Sequence, residues 1–400
     1  MTPIGQLERW AYLAAGVLTI NNLFIRRFSR AIVYFVVCAL LLTIMIYPVL
    51  KEKLYIRDAA LRPYTWFMLY TIGLVVVSAF AVEGRDGLQF LIPNSIAMLC
   101  FAIVPAMATR DHLVPVLRTL FHILPFMCVF FSGGLYLLNL VLIPYSIVVL
   151  FLGEFKGAKR WILLAITLMV CVVSYINVDR ALLIKMAVAL AIGFTSAYMK
   201  RLFDKWVAAV SVGLLVIPFL FVLLFLTGRF NVFEFNKYMS NAQHDDSGMY
   251  DDTRTGVYEE VITSAIDNHY ILFGRSLSRG YDTEFILERF RDKDYSKQTL
   301  ERSSEVAALN LFTWGGIVYL LLFFVWQCNV VYVGLKKTNN RYTPILALYV
   351  AFYWAFSWVE NVQVFSMFYI FPIIIMAMCM SPEFREMDDD EFRNMVQEFF

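Results

Sequence analysis

The apolar residues of this chain fall into long runs separated by short polar stretches. A representative run, 206–227, is apolar on every side when wound into a helix. A helix needs about 20 apolar residues to cross a hydrocarbon core of about 30 Å, whereas a barrel strand alternates apolar and polar positions over about ten residues. The pattern therefore predicts about twelve membrane-spanning helices, at 10–25, 31–50, 63–82, 88–108, 113–131, 134–152, 161–178, 181–198, 206–227, 307–333, 343–359 and 364–380.

Composition agrees with this pattern. Of the 400 residues, 60% are hydrophobic and only 16% are charged, which lies outside the balance of soluble domains. The six cysteines all lie in apolar segments without a CxxC pair, so we interpret them as core residues and not as a disulfide framework. No basic stripe for nucleic acid is present. The expected fold class is an all-α polytopic membrane protein in contact with the lipid bilayer.

Charge in the short loops predicts the orientation of the chain. If the N-terminus is cytoplasmic, the inner loops are rich in lysine and arginine, for example at 51–62 and 336–341, while the outer loops carry few charges. An excess of positive charge is typical of cytoplasmic loops. Arg26, Arg27 and Arg30 fall on the opposite side and do not fit this orientation.

The predicted spans divide the chain into four parts. Residues 1–227 form an N-terminal transmembrane bundle of about nine helices, and residues 228–305 form a large extracytoplasmic loop. About three more helices follow at 306–380, and residues 381–400 form an acidic cytoplasmic tail with amphipathic character. We interpret its Asp388 to Asp390 run as solvated charge.

The large loop has the sequence of a folded segment. Within 251–268, apolar residues recur at helical spacing, which predicts an amphipathic helix laid against a surface. A second, more charged helix is predicted at 282–302. Such a loop would cap the outer helix ends and could enclose a cavity at the membrane surface.

Two arginines at predicted helix starts are candidates for binding an anion. Arg180 opens the span at 181–198; it is either a solvated residue of an interfacial turn or a phosphate ligand, since the guanidinium fork bonds phosphate oxygens in pairs. Arg254 opens the predicted loop helix. It is either a surface cation or part of an anion site, because the helix dipole disfavours a cation there unless an anion is shared.

A glycine turn and a carboxylate complete the candidate set. The sequence GRSLSRG contributes Gly274, Arg275 and Arg279, a turn with two further cations. Glu305 lies directly before the span at 307–333. It either marks the membrane boundary or, if partly buried there, serves as a general base.

The sequence contains few residues in the arrangements that bind metals or cofactors. The cluster His244, Asp245 and Asp246 could take a divalent cation, but a solvated loop is the better interpretation. Phosphate-loop, serine hydrolase and zinc protease motifs are absent from the sequence. We therefore predict no metal site and no cofactor.

In order and sidedness, these stretches resemble the O-antigen polymerase and O-antigen ligase superfamily of bacterial membrane glycosyltransferases. Arg180 matches the family's arginine at the outer start of a mid-chain span, and Arg254 with Gly274 matches its arginine and glycine turn. Gly316, followed by isoleucine, matches a glycine in the span after the loop. Eleven residues before it, where ligases carry histidine, this chain has Glu305, and this departure favours polymerase over ligase.

The resemblance implies a GT-C-like architecture in the bacterial inner membrane, with the large loop on the periplasmic side. Undecaprenyl-diphosphate-linked oligosaccharide would be both donor and acceptor, so neither a nucleotide sugar nor ATP is required. The catalytic roles implied are diphosphate binding by Arg180 and Arg254 and base catalysis by Glu305. The candidate substrate-binding residues are Arg275, Arg279, Gly274 and Tyr258, with structural packing as the alternative for the tyrosine.

Two alternatives remain open at this point. A ligase would transfer the glycan to lipid A core, and a flippase or other transporter would move lipid-linked glycan without chemistry. Transporters place charges near the bilayer midplane and contain related halves, whereas here Lys185 is the main intramembrane charge and no half-repeat is visible. A chain-length regulator and a flippase are further candidate partners of a polymerase.

Overall fold

The computed structural model describes residues 3–28, 32–54, 62–130, 148–176, 180–227, 254–283, 300–301, 303–360 and 363–399. Most of these residues are helical. The helices are α1 (Pro3–Phe28), α2 (Ile32–Lys51), α3 (Arg62–Phe80), α4 (Gly84–Leu99), α5 (Val104–Met107), α6 (Arg110–Phe130), α7 (Ala158–Ile176), α8 (Arg180–Tyr198), α9 (Lys200–Leu226), α10 (Arg254–Asp267), α11 (Ala307–Lys336), α12 (Tyr342–Phe356), α13 (Met367–Met380), α14 (Pro382–Glu386) and α15 (Asp389–Gln397). Short 3-10 helices cover Cys100–Ile103 and Leu152–Glu154, and β1 (Tyr281–Asp282) pairs with β2 (Leu300–Glu301) in antiparallel register.

Several helices have the length and composition of membrane spans. Among the described residues, six segments meet both criteria: Val33–Lys51, Arg62–Phe80, Gly84–Met107, Ala181–Tyr198, Lys200–Leu224 and Ala307–Lys336. Shorter apolar helices are Arg160–Met169, Tyr342–Phe356 and Met367–Met380. The predicted all-α class is confirmed, and the apolar helices are consistent with a membrane protein. The count of twelve spans stays a prediction.

The shortfall from twelve has identifiable reasons. Helices α1 and α6 overlap the predicted spans 10–25 and 113–131, and neither is among the six segments. The predicted span at 134–152 falls mostly on 131–147, outside the described residues. Helices α12 and α13 have 15 and 14 residues, and about 22 Å of helix is shorter than a hydrocarbon core of about 30 Å.

The core of the described structure forms around α11, which packs against α3, α12 and α13. Phe67 of α3 stacks on Tyr319 and Trp326 of α11, with ring centroids 5.2 and 5.1 Å apart. Trp354 of α12 donates its indole N–H to the Leu215 carbonyl of α9 at 3.0 Å. Because lipid tails are as apolar as these side chains, close packing and hydrogen bonds must supply the association energy.

The helix ends form two faces. We call one the tail end; it contains Glu154, the turn at 337–341 and the C-terminal residues 381–399. The other, the loop end, contains residues 254–283 and the turn at 357–360.

The loop segment follows the sequence prediction in its first half. Helix α10 lies within the predicted 251–268, and Val257, Val261 and Ala265 form its buried row. The second predicted helix, at 282–302, has strand residues at its ends, and 284–299 lie outside the described residues.

The acidic tail is packed against the tail end. Asp388 and Asp390 are exposed, as predicted for solvated charge, but all three aspartates also have hydrogen-bond partners. Asp388 caps α15 and forms a capping box with Glu391. Asp389 accepts a hydrogen bond from the Arg341 backbone N–H at 2.8 Å, and Asp390 pairs with Arg393 at 2.6 Å. The predicted amphipathic character is confirmed by a buried row in and after α15, namely Phe392, Met395, Val396 and Phe399.

A histidine bridges two carboxylates at this end. His112, which precedes the predicted span at 113–131, contacts Glu8 at 2.8 Å and Glu52 at 3.1 Å. The hydrogen bond to Glu8 raises the pKa of His112 to about 9, although burial opposes the shift. The imidazole is therefore protonated at neutral pH and joins α1, α6 and the end of α2.

Glu154 joins the C-terminal segment to the rest of the bundle. Its carboxylate accepts hydrogen bonds from Arg341 and from Nε of Arg393, the latter at 2.6 Å. Glu154 is 9% exposed, whereas the two arginine side chains are 34% and 36% exposed. Solvent thus screens part of each ion pair.

We expect Glu154→Gln to loosen the C-terminal segment. Loss of both ion pairs should lower the stability of the purified protein by on the order of 1 kcal/mol, because the arginines are partly solvated. Tryptic cleavage after Arg393 should also become faster. Glu386→Gln, the same change at an exposed residue of the tail that forms no ion pair within the described part of the chain, is the matched control. If both variants melt and digest alike, Glu154 does not hold the segment.

Candidate functional site

Helix α11 is broken near the loop end. Gly316 has φ 71° and ψ −170°, which no helix contains. In a regular helix Ile317 and Val318 would donate their N–H groups to the carbonyls of Thr313 and Trp314. The break removes these bonds, and in an apolar environment each unpaired group would be costly.

A segment of the loop, residues 271–276, restores the lost hydrogen bonds. The replacement bonds run from Arg275 N to Thr313 O at 2.7 Å, from Ser276 N to Trp314 O at 3.2 Å, from Ile317 N to Ile271 O at 2.9 Å and from Val318 N to Leu272 O at 3.3 Å. The loop backbone thus takes the place of a helical turn.

Two glycines make this close approach possible. Gly274 has φ 74°, and a Cβ there would lie 2.4 Å from the Gly315 nitrogen. A Cβ on Gly316 would lie 2.2 Å from the Leu272 carbonyl oxygen. Gly274 and Gly316, which carry part of the family resemblance, therefore belong to one contact between the loop and α11.

The same turn docks on α3 and α4. The contacts are Leu277 N to Ser78 Oγ at 2.9 Å, Asn94 Nδ2 to Leu277 O at 3.1 Å, Ser278 Oγ to Ala81 O at 3.3 Å and an ion pair between Arg279 and Glu83. Arg279 therefore lies at the outer rim of this docked turn with its charge shared by a carboxylate.

Arg275 joins the turn to α10. Its Nη1 lies 2.8 Å from Asp282 Oδ2, and its guanidinium lies over the Tyr270 ring at 5.7 Å. Asp282 also accepts hydrogen bonds from Ser264 and Asn268, at 3.0 and 2.7 Å. The structure gives Arg275 a role in fixing the loop, and its substrate contact stays a prediction.

The turn at 357–360 contacts three elements that carry predicted site residues. These contacts are Tyr258 Oη of α10 to Trp358 O at 2.7 Å, Ala307 N of α11 to Glu360 O at 3.2 Å, Ala308 N of α11 to Ser357 O at 3.0 Å and Lys185 Nζ of α8 to Glu360 Oε2 at 2.5 Å. The turn therefore brings the loop ends of α8, α10 and α11 together.

The predicted catalytic residues lie close to these contacts along the chain. Arg180 and Arg254 are the first residues of α8 and α10, one to two helical turns before Lys185 and Tyr258. Their backbones are described, whereas their side chains lie outside what the structure describes. Glu305 precedes α11 by two residues.

Glu305 differs from its expected environment. The predicted base role depends on partial burial of the carboxylate, but the side chain is exposed. Its neighbours Ser304 and Val306 are buried, and Asn310 accepts from the Ser304 N–H at 2.6 Å. The backbone on either side of Glu305 is thus fixed, while its carboxylate is exposed.

Tyr258 has a packing role in this structure. It is 4% exposed, and its hydroxyl donates to the Trp358 carbonyl. The sugar contact predicted for it stays a prediction that would require the ring to become accessible.

Metal ligands are not clustered in the described part of the chain. No group of three or more His, Cys, Asp or Glu side chains there could hold an ion. His244, Asp245 and Asp246 lie outside the described residues.

The pair of Lys185 and Glu360 was not predicted. A signal existed in the sequence, because a lysine inside an apolar span requires a partner. Glu360 lies at the outer end of a different span, far away in sequence, and only the packing of α8 against α12 shows that the two meet.

We expect Gly316→Ala to damage the contact between the loop and α11. An alanine there combines a backbone conformation costing about 2 kcal/mol or more with a clash against Leu272. The melting temperature of the purified protein should fall by several degrees.

Gly213→Ala in α9 is the matched control, since a Cβ there meets nothing within 4 Å and alanine favours helix over glycine. Equal melting temperatures for the two variants would contradict the importance of the break.

Comparison with known proteins yields no relative: no family model, curated protein or solved structure matches the chain.

Proposed function

We propose that the protein is a membrane glycosyltransferase that polymerises polyprenyl-diphosphate-linked oligosaccharide repeat units into a surface polysaccharide. The observation that carries this proposal is the convergence of α8, α10 and α11 on the turn at 357–360. Three residues assigned by the family resemblance, Arg180, Arg254 and Glu305, stand at the starts of these elements. Separate parts of the sequence thereby share one end of the bundle.

The proposed topology has about twelve spans, with the loop end on the periplasmic side of the bacterial inner membrane. The tail end, with its basic turn at 337–341, would face the cytoplasm, as the positive-inside rule predicts. The lipid tail of the substrate would enter sideways between helices, while the glycan lies under the loop.

The proposed chemistry needs positive charge and a base. Cleavage of the sugar–phosphate bond develops negative charge on the diphosphate, and preplaced guanidinium groups of Arg180 and Arg254 would stabilise it. The attacking hydroxyl must lose its proton to a carboxylate, which the sequence assigns to Glu305. The turn with Gly274, Arg275 and Arg279 would hold the loop in position over the substrate.

A transporter of lipid-linked glycan is the second candidate, and the broken helix α11 is the feature that favours it. Transporters expose the backbone of broken helices to their substrate or coupling ion. Here the carbonyls of Thr313 and Trp314 and the N–H groups of Ile317 and Val318 are paired with the loop. This pairing favours an enzyme with a fixed loop.

Deletion of the gene from its host should leave single repeat units on the surface anchor, because export and ligation would continue without polymerisation. A size-separating gel of surface glycans measures this, and complementation should restore the ladder. Loss of all surface glycan would instead favour a ligase or a flippase.

Arg254→Lys and Arg180→Lys should each reduce polymer formation about ten-fold or more, because a point charge replaces a two-pronged donor and ten-fold corresponds to about 1.4 kcal/mol. Arg201→Lys, at an exposed position in the first turn of α9, is the control. Near-wild-type ladders from both test variants at normal membrane levels would refute the diphosphate role.

A further inference from the structure

Two carboxylates lie at the loop end in different environments. Glu305 is exposed, whereas the Glu360 side chain is only 24% exposed and lies 2.5 Å from Lys185. The backbone hydrogen bond from Ala307 to the Glu360 carbonyl joins the two segments. Glu360 therefore lies beside the place where the base was expected, with the partial burial that Glu305 lacks.

Lys185 holds this carboxylate. The lysine side chain is 13% exposed, and its ammonium lies 5.1 Å from the centre of the Phe356 ring. Opposite charges this close attract each other, and the attraction fixes where the carboxylate lies. The aromatic ring and the carboxylate together fix the position of the ammonium group.

Glu360 belongs to the turn at 357–360. This turn contacts α8, α10 and α11, the three helices at whose starts the predicted catalytic residues lie. The Glu360 side chain contacts α8, its carbonyl contacts α11, and Trp358 of the same turn accepts the hydrogen bond of Tyr258 from α10. A substrate bound between the starts of these helices would lie next to this turn.

We propose that Glu360, and not Glu305, is the proton acceptor of this site, with Lys185 as its positioning residue. This inference rests on the proposed polymerase function. As the acceptor hydroxyl oxygen bonds to the anomeric carbon, its proton passes to the Glu360 carboxylate. The bond from the anomeric carbon to the diphosphate oxygen breaks, and its electron pair leaves with the diphosphate.

The test uses membranes of the deletion strain, which contain the host's own lipid-linked repeat units, with each variant supplied on a plasmid. Glu360→Gln should reduce polymer by about 100-fold or more, the usual size of a general-base effect. Glu259→Gln, the same change at an exposed carboxylate of α10, is the matched control and should stay within about three-fold of wild type. Wild-type-like polymer from Glu360→Gln overturns the inference.

Chemical rescue separates a proton acceptor from a structural residue. Added formate should restore polymer formation to Glu360→Ala by about ten-fold, because a small carboxylate can occupy the vacated space. Formate should have no effect on Glu305→Ala. Rescue of Glu305→Ala alone, or of neither variant, overturns the assignment to Glu360.

The Glu360→Gln protein could be lost from the membrane because Lys185 is left without its ion-pair partner. A double variant keeps the test decisive in that event. Lys185→Met with Glu360→Gln removes both charges and leaves no lone buried ion, and it should remain inactive at normal membrane levels. Activity in the double variant overturns the inference. If the wild-type protein does not extend the repeat units in these membranes, the polymerase proposal itself fails. If the wild-type protein and the Glu360→Gln variant are both active, only the assignment of the proton acceptor to Glu360 fails.

Discussion

The arrangement of the loop end depends on the hydrogen bonds between the break in α11 and residues 271–276. A helix in lipid cannot leave its backbone groups unpaired, so the conformation of Gly316 is tolerable only because the loop supplies replacement partners. The contact fixes both sides at once, since the loop cannot move without exposing backbone groups of α11. It also attaches the loop to the bundle, and α10, with its contact to the turn at 357–360, is joined to that attached segment.

Helix lengths show why the break is needed. A straight α11 of 30 residues would be about 45 Å long, whereas the neighbouring α12 of 15 residues is about 22 Å long. Yet the first residue of α11, Ala307, bonds to Glu360 just beyond the end of α12. Both helices meet at the tail end, so α11 can reach this point only if its first segment turns across the bundle at Gly316.

Part of this arrangement was predictable from sequence and part was not. The apolar runs predicted the helical class, and helical spacing within 251–268 predicted α10, because both patterns report local geometry. Gly274 and Gly316 were selected only by a resemblance that no comparison tests, and their mutual contact depends on tertiary packing. The burial of Tyr258, the exposure of Glu305 and the packing of the acidic tail also depend on distant partners, which periodicity does not report.

The position of the Lys185–Glu360 pair relative to the membrane surface bears on the proposed substrate. Since α12 falls short of a hydrocarbon core of about 30 Å by about 8 Å, its loop end would lie below the level of the lipid headgroups. The turn at 357–360 continues from that end, so Lys185 and Glu360, which form an ion pair, would lie at the same depth, where charges need partners. A lipid-linked diphosphate brings its reacting bond to the membrane surface while its tail stays in the bilayer. A charged pair at that depth, next to the loop helix α10 that contacts the same turn, would suit such a substrate better than a fully soluble one.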